Sequence, residues 1–401
     1  MRILMITNTF PPRRFGGVTG VAYSLARKLV LRGHQVTVYT TDVGNTPHSR
    51  LKSENTASVD GLGVHYFRNI SNLLAYKYRF FTPISCLPSL KSDIGSFDIV
   101  HFHDYRSLFN IVGSYFAKRR DIPYVIQAHG SLIPHAQKQR IAGFFDLTFG
   151  HRVMNGASRL LALTQTEKDH YMAVGVDDER IEIVPNGIDK TTFEALPKWG
   201  AFREKYGVGR DEQIVLYVGR LHRTKGLDLL ITAFANLNRN MKNTKLAIVG
   251  PDDGFLQALN NQVDQLGIDN QVIITGMVQE EEKLEAYVDA DVFVTPNFSG
   301  FPLTFIEACA SGTPIVTTNK GDMLAWIDGN VGRVVEYNAT QLEDALAVIL
   351  SDSALRERYS RRATELAFNR FNWDIVAERL EEIYQEVIAS ADNAAEHSKC
   401  T

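Results

Sequence analysis

The run Pro296–Pro314 reads Pro-Asn-Phe-Ser-Gly-Phe-Pro-Leu-Thr-Phe-Ile-Glu-Ala-Cys-Ala-Ser-Gly-Thr-Pro. An apolar strand over 292–295 leads into a turn at Gly300. Pro302 stands where a helix should begin and Gly312 where it should stop. Proline suits a first helical position because its missing N–H is an orphan there, and glycine accepts the reversed backbone past the last turn. A helix begun this way points free N–H groups and the positive end of its dipole beyond the strand tip, and phosphate is the usual tenant of such a site. Glu307, one turn inside, is repelled by phosphate but can accept hydrogen bonds from two neighbouring hydroxyls, as on a ribose. Phosphate at the helix tip and a diol one turn back outline a nucleotide.

Three other places carry chemistry. In Gly219-Arg220-Leu-His-Arg-Thr-Lys225-Gly226, two cations are framed by glycines after an apolar strand. An arginine fork and a lysine point charge can together offset the charge growing on a leaving diphosphate. Gly16 and Gly17 follow the first strand and precede a helix, so the backbone there can approach a sugar or phosphate, or turn tightly for packing alone. Their spacing is not that of a dinucleotide fingerprint. His129, in Ala128-His129-Gly130, ends another strand. His101 and His103 share a strand face without an apparent third ligand, so no metal site is read there; one of them is expected to be buried, with Asp104 as an acceptor-side group. Asp289 and Asp291 read as surface and capping residues.

These residues need a scaffold that brings strand ends together. Short apolar runs alternate with amphipathic segments, the pattern of parallel sheets covered by helices. Strands are expected at 2–7, 35–39, 64–67, 99–102, 124–127, 159–162 and 181–184. After a linker near 197–210 they resume at 214–218, 245–249, 272–275, 292–295 and 315–317. Helices are expected at 18–32, 108–119, 165–173, 226–238, 254–266, 283–288, 342–350, 354–367 and 373–388, followed by a fraying tail from Ser390. With 401 residues, two domains are the natural division, placed at 1–196 and 197–371, with a returning helix at 372–390. Ligands of doubly wound sheets bind beyond the carboxyl ends of the strands, and every motif above follows a strand end.

A net charge of −3 gives no basic field for nucleic acid, and three cysteines give neither a disulfide framework nor a zinc site. No run approaches the roughly 20 apolar residues of a spanning helix, and the first residues read as a buried strand, so a cytoplasmic location is expected. The segment Ile70–Phe81 interleaves aromatic and aliphatic residues with Lys77 and Arg79. It fits either a peripheral contact with the inner membrane face, beside a lipid-linked acceptor, or an ordinary packed helix.

The chain resembles the retaining glycosyltransferases of family 4 (glycosyl transferases group 1), of the GT-B fold. The resemblance is carried by Gly300, Phe301, Pro302, Leu303 and Glu307, by the Gly-Arg and Lys-Gly pairs, by the Gly-Gly loop and by His129. It implies two Rossmann-like α/β domains facing across a cleft, the first for acceptor and the second for a nucleotide-diphosphate sugar. In this reading His129 faces the transferred sugar. Gly16, Gly17, Arg220, Lys225, Ser299, Gly300, Phe301, Pro302, Leu303 and Glu307 hold the donor, and no metal or other cofactor is required. The acceptor is a glycan or lipid-linked. Ser299 stands where the family usually has a first Glu. That departure allows a second reading, a catalytically silent subunit that binds nucleotide-sugar.

Overall fold

A computed structural model gives the fold, described for all residues except 14–16, 52–55, 133–142, 144, 323 and 401, and without the side chains of 56, 57 and 394–400. Gly16 therefore lies outside the described residues. The chain forms two compact units: Met1–Asn186 with Trp373–Thr401, and Gly187–Asn372.

The first unit is built on β1 (Arg2–Ile6), β2 (Gln35–Thr41), β3 (Thr56–Val59), β4 (Leu62–Phe67), β5 (Ile99–His103), β6 (Tyr124–Gln127), β7 (Arg159–Ala162) and β8 (Ile181–Ile183). They form one sheet in the order β3-β4-β2-β1-β5-β6-β7-β8. Among the strands of this sheet, as described, the β3–β4 pair is antiparallel and the others pair in parallel. The central strands are apolar throughout because helices cover both faces, and β5 is buried along its whole length. Strand order reverses direction between β1 and β5, so the loops after these strands diverge to opposite faces and leave room between them.

The second unit contains β9 (Gln213–Val218), β10 (Thr244–Val249), β11 (Val272–Gly276), β12 (Val292–Thr295), β13 (Ile315–Thr318) and β14 (Gly332–Val335). The sheet order is β11-β10-β9-β12-β13-β14, the doubly wound arrangement with its reversal between β9 and β12. Its core packs the Leu227–Asn240 and Ala339–Ser351 helices against the sheet through residues such as Leu230, Phe234, Leu342 and Leu346.

Four features differ from the sequence reading. β3 and β14 were not foreseen, because Thr-Ala-Ser-Val and Gly-Arg-Val-Val are short and only partly apolar. The stretch near 197–210 is folded: it includes the helix Ala201–Tyr206, and Arg203 is only 5% exposed. Asp289 is a buried residue, not a surface one. Its carboxylate accepts from the backbone N–H of Gly200 at 2.6 Å and of Arg203 at 2.9 Å, so it caps that helix from another element. The last helix runs Trp373–Cys400 instead of ending near Ile388, as its Ala- and Glu-containing final turns favour. This helix packs on Gly17–Leu31, where Lys28 meets Asp374 at 2.9 Å and Arg32 meets Glu381 at 2.6 Å. Those pairs are solvent-exposed and contribute little; the attachment comes from buried Ala377, Leu380, Ile383, Tyr384 and Val387.

Candidate active site

In the second unit, the reversal between β9 and β12 brings two of the singled-out loops together. The loop after β9 carries Arg220 and Lys225, and the loop after β12 carries Ser299 to Pro302. Asn297 Nδ2 donates to Thr224 O at 2.8 Å and ties one loop to the other. Gly226 is needed at their junction. Its φ is +70°, and a Cβ there would lie 3.1 Å from Pro296 Cβ and 3.0 Å from the Tyr337 hydroxyl. Lys225, in a tight turn capped by His222, has its pKa lowered by burial and then by Arg220, with no acidic group among the causes. Arg220 is largely exposed and pairs with Asp253. The two cations thus lie near enough to act on each other, Arg220 with a carboxylate partner and Lys225, among the described residues, with none.

The helix after β12 spans Leu303–Ala310, with Pro302 as its N-cap residue and no side-chain cap. Proline therefore stands one place ahead of the first helical position expected for it. Gly300 adopts φ +69° and turns the chain, and its N–H is held by the Asp322 carboxylate. Ser299 is exposed. Phe301 is 6% exposed and packs against Phe371 at 5.1 Å and Trp326 at 6.1 Å between ring centroids, so its ring anchors the loop in the unit's own core. Glu307 is held from two sides. Lys283 Nζ donates to one carboxylate oxygen at 2.9 Å, and the Tyr287 hydroxyl donates to the other at 3.1 Å. Each oxygen keeps lone pairs for further hydroxyl donors.

In the first unit, the ends of β1, β5 and β6 carry a polar cluster. Asp104 adopts φ +70° and accepts from Asn8 Nδ2 at 3.0 Å. Burial raises its pKa to about 6, against the lowering effect of the Asn8 bond and of Arg79. His101 and His103 are both buried, at 0% and 1% exposure, where only one was expected to be. Each of these buried histidines finds a partner at Nδ1, while the Nε2 of both is buried without a hydrogen-bond partner among the described residues. His101 Nδ1 meets the Tyr384 hydroxyl at 2.6 Å, and His103 Nδ1 meets His129 Nε2 at 2.9 Å. The rings stack in series, with centroids 4.1 Å apart for His101–His103 and 5.2 Å for His103–His129. Burial lowers the pKa of His101 and of His129 to about 3 and that of His103 far down, so all three are neutral at pH 7.

His129 itself is partly exposed and adopts φ +54°. Its loop is fastened at both sides. The Gly130 N–H donates to Glu167 at 2.6 Å, the Ala128 N–H donates to the Tyr171 hydroxyl at 3.2 Å, and Arg106 clamps Ser131 O, Leu132 O and the Asp146 carboxylate. Gly17 opens the Gly17–Leu31 helix. Among the described residues, no group of three or more His, Cys, Asp or Glu side chains could hold a metal ion, and no helix is long and apolar enough to cross a membrane. Asp253, Asp322, Lys283, Tyr287 and Tyr384 were missed in the sequence. Each meets its partner across a long stretch of chain, and no spacing rule flags such pairs.

Two family models match the chain: "Glycosyl transferases group 1" over residues 200–366 and "Glycosyltransferase Family 4" over residues 15–192. The chain belongs to the family 4, group 1 glycosyltransferases. This glycosyltransferase is 28% identical over 399 residues to an uncharacterized glycosyltransferase of Methanocaldococcus jannaschii, covering 96% of this chain and 98% of the relative. It is 27% identical over 400 residues to the GDP-mannose-dependent alpha-(1-6)-phosphatidylinositol monomannoside mannosyltransferase of Mycolicibacterium smegmatis, covering 95% and 97%. Among solved structures it superposes on Anabaena HepE in complex with UDP and glucose with a TM-score of 0.73 at 17% identity, covering 96% of this chain and 100% of the other. That likeness is one of fold, the GT-B architecture of two parallel-sheet domains.

Proposed function

We propose that this glycosyltransferase moves a hexose from a nucleotide diphosphate to a glycan or lipid-linked acceptor with retention of anomeric configuration. The observation that carries the donor half is Lys225, a part-buried cation at the doubly wound reversal, influenced by Arg220 and, among the described residues, by no acidic group. A diphosphate is the ligand that such a pair lacks. The open N-terminus of Leu303–Ala310 adds backbone donors, and Glu307 lies one turn further in to accept from ribose hydroxyls. With two cations and a helix end on the diphosphate, no metal ion is required for charge neutralisation. The relatives support this reading: the Anabaena protein binds UDP and glucose, and the mycobacterial one uses GDP-mannose and a phosphatidylinositol glycolipid.

In the reaction, the acceptor hydroxyl oxygen bonds to the anomeric carbon on the face that the leaving diphosphate vacates. The C–O bond to phosphate breaks, and the departing phosphate oxygen takes the hydroxyl proton. The enzyme positions the groups and stabilises charge. No carboxylate nucleophile is needed, so Ser299 serves as a hydrogen-bonding group to the sugar and His129, neutral, as a further contact. The catalytically silent alternative has only Ser299 in its favour. NMR of the product formed from a panel of nucleotide-sugars is the test. Ser299→Ala should keep retention and lose about 0.5–1.5 kcal/mol of transition-state binding, one neutral hydrogen bond. An inverted product would refute the mechanism, and neither transfer nor donor hydrolysis by the unaltered enzyme would favour the silent subunit.

The membrane half of the proposal rests on the Ile70–Phe81 segment. Ile70, Leu73, Tyr78 and Phe80 are exposed, with Lys77 among them. We infer a peripheral contact with an anionic cytoplasmic leaflet. Lys77→Glu combined with Phe80→Asp should reduce co-sedimentation with anionic vesicles severalfold, since each basic residue near such a surface contributes about 1 kcal/mol. Equal sedimentation of both proteins would point to a soluble acceptor.

A further inference from the structure

A neutral histidine meets a ligand in one of two ways, set by which ring nitrogen carries its hydrogen. His129 and His103 are both held neutral by burial. His129 Nε2 lies 2.9 Å from His103 Nδ1, so one of these atoms carries a hydrogen and the other a lone pair. The surroundings of His103 decide which. Its ring is 1% exposed and lies between those of His101 and His129. Its Nε2 is closed off from solvent, with no hydrogen-bond partner among the described residues.

Two arrangements are open to this pair. If His129 Nε2 donates, His103 Nδ1 accepts and the hydrogen of His103 sits on Nε2, buried with nothing to receive it. His129 Nδ1 is then a bare acceptor. If His103 Nδ1 donates, His103 Nε2 is a bare lone pair and the hydrogen of His129 sits on Nδ1. Buried N–H groups without an acceptor are rarer in folded proteins than acceptors short of a donor. The second arrangement strands no N–H of His103, and His129, being partly exposed, can offer its own to a ligand.

The backbone shows that the His129 ring is aimed. Its φ of +54° lies in the left-handed region, uncommon for a residue with a Cβ and kept only where the surroundings enforce it. Here Tyr171 and Glu167 hold the N–H groups on either side of it. At the far end of the stack, the Tyr384 hydroxyl fixes His101 Nδ1 at 2.6 Å, so the His103 ring is held between two anchored neighbours.

We infer that His103 is a positioning residue: its Nδ1–H fixes the tautomer of His129, which then presents Nδ1–H as a hydrogen-bond donor to an oxygen of the transferred sugar. The part played by the sugar rests on the glycosyltransferase reading above; the tautomer does not.

Nitrogen NMR of the enzyme carrying isotope-labelled histidine reads the tautomer directly, with the His129 signals identified by their loss in His129→Gln. His129 should show a hydrogen on Nδ1 and a bare Nε2. The reverse pattern, or an even mixture, overturns the proposal. Kinetics give the second reading. His103→Phe keeps an aromatic ring in the stack and removes the donor. Its kcat/KM for transfer should fall roughly tenfold, the worth of about one hydrogen bond, while UDP affinity holds, because UDP carries no transferred sugar. His103→Asn, whose amide can donate from nearly the position of Nδ1, should recover most of that loss. A packing role alone gives the opposite order, since Asn is smaller and more polar than Phe. Equal transfer by His103→Phe and the unaltered enzyme, or faster transfer by Phe than by Asn, overturns the positioning role. If His103→Phe does not fold, the NMR pattern of the unaltered enzyme and its persistence in His103→Asn decide the matter. If the unaltered enzyme shows the expected tautomer but neither binds UDP nor transfers, the glycosyltransferase reading falls and the tautomer assignment stands.

Discussion

Lys225→Ala is expected to weaken nucleoside-diphosphate binding by roughly 10- to 150-fold, the loss of a charged hydrogen bond worth about 1.5–3 kcal/mol. Transfer should slow at least as much, because charge on the leaving phosphate grows during reaction. Arg220→Ala should cost less. In the free enzyme Arg220 is engaged by Asp253, so binding exchanges a carboxylate for a phosphate and the net gain is smaller. Lys225 has no such exchange to make, and it is already held in a turn between His222 and Gly226. Calorimetry with UDP and GDP on the two variants is the measurement. Equal affinity in Lys225→Ala and the unaltered enzyme, for every diphosphate that binds, would remove the lysine from the donor site. A larger loss at Arg220 than at Lys225 would mean that the Asp253 pair opens at little cost.

The contrast between these two cations shows what the chain makes legible. The alternation of apolar runs and amphipathic segments identified the sheets, because buried parallel strands must be apolar and their covering helices amphipathic. Glycine framing located Gly219 to Gly226, since φ +70° at Gly226 strains any other residue and a Cβ there would press on Tyr337 and Pro296 at 3.0–3.1 Å. Partners were not legible. Nothing in the spacing couples Glu307 to Lys283 and Tyr287, or Arg220 to Asp253. Such pairs depend on which loops the sheet order makes neighbours, and the order became known only with the fold. The segment near 197–210 misled because its Pro, Gly and charged residues resemble a linker. In the structure Arg203 is a buried strut: its guanidinium donates to Gly209 O, Glu212 O and Asp289 O, and Asp289 returns the favour by capping its helix. Buried charge whose two guanidinium tips are hydrogen-bonded reads in a sequence like exposed charge.

The histidine series in the first unit carries the second large expectation, a steep loss of stability in acid. His101, His103 and His129 have folded pKa values pushed below the ordinary 6.5 by burial, to about 3 for the first and last. A depressed pKa contributes stability that is present above the unfolded value and is lost as pH falls toward the folded one, because the unfolded chain takes up the proton first. For His101 and His129 the window therefore runs from about pH 6.5 down to about pH 3, and each proton taken up contributes a slope of at most about 1.4 kcal/mol per pH unit. Asp104 works in the opposite direction. Its raised pKa of about 6 gives stability that is fully present below about pH 4 and lost as pH rises through 6, so it offsets about one histidine within that interval. Urea unfolding followed at pH 7, 5 and 4 should show the net decline. His101→Gln can keep a hydrogen bond to Tyr384 but cannot titrate, and should flatten the slope by about one proton. If the variant and the unaltered enzyme lose stability in parallel, His101 is not the group that takes up the proton. The same neutrality bears on the reaction. With Nε2 engaged by His103, His129 offers a bound sugar a neutral ring whose remaining polar atom is Nδ1. Protonating this series would bring like charges together along stacked rings, so transfer should fail in acid no later than the fold does. Activity that persists below the pH at which the first unit unfolds would contradict both roles at once.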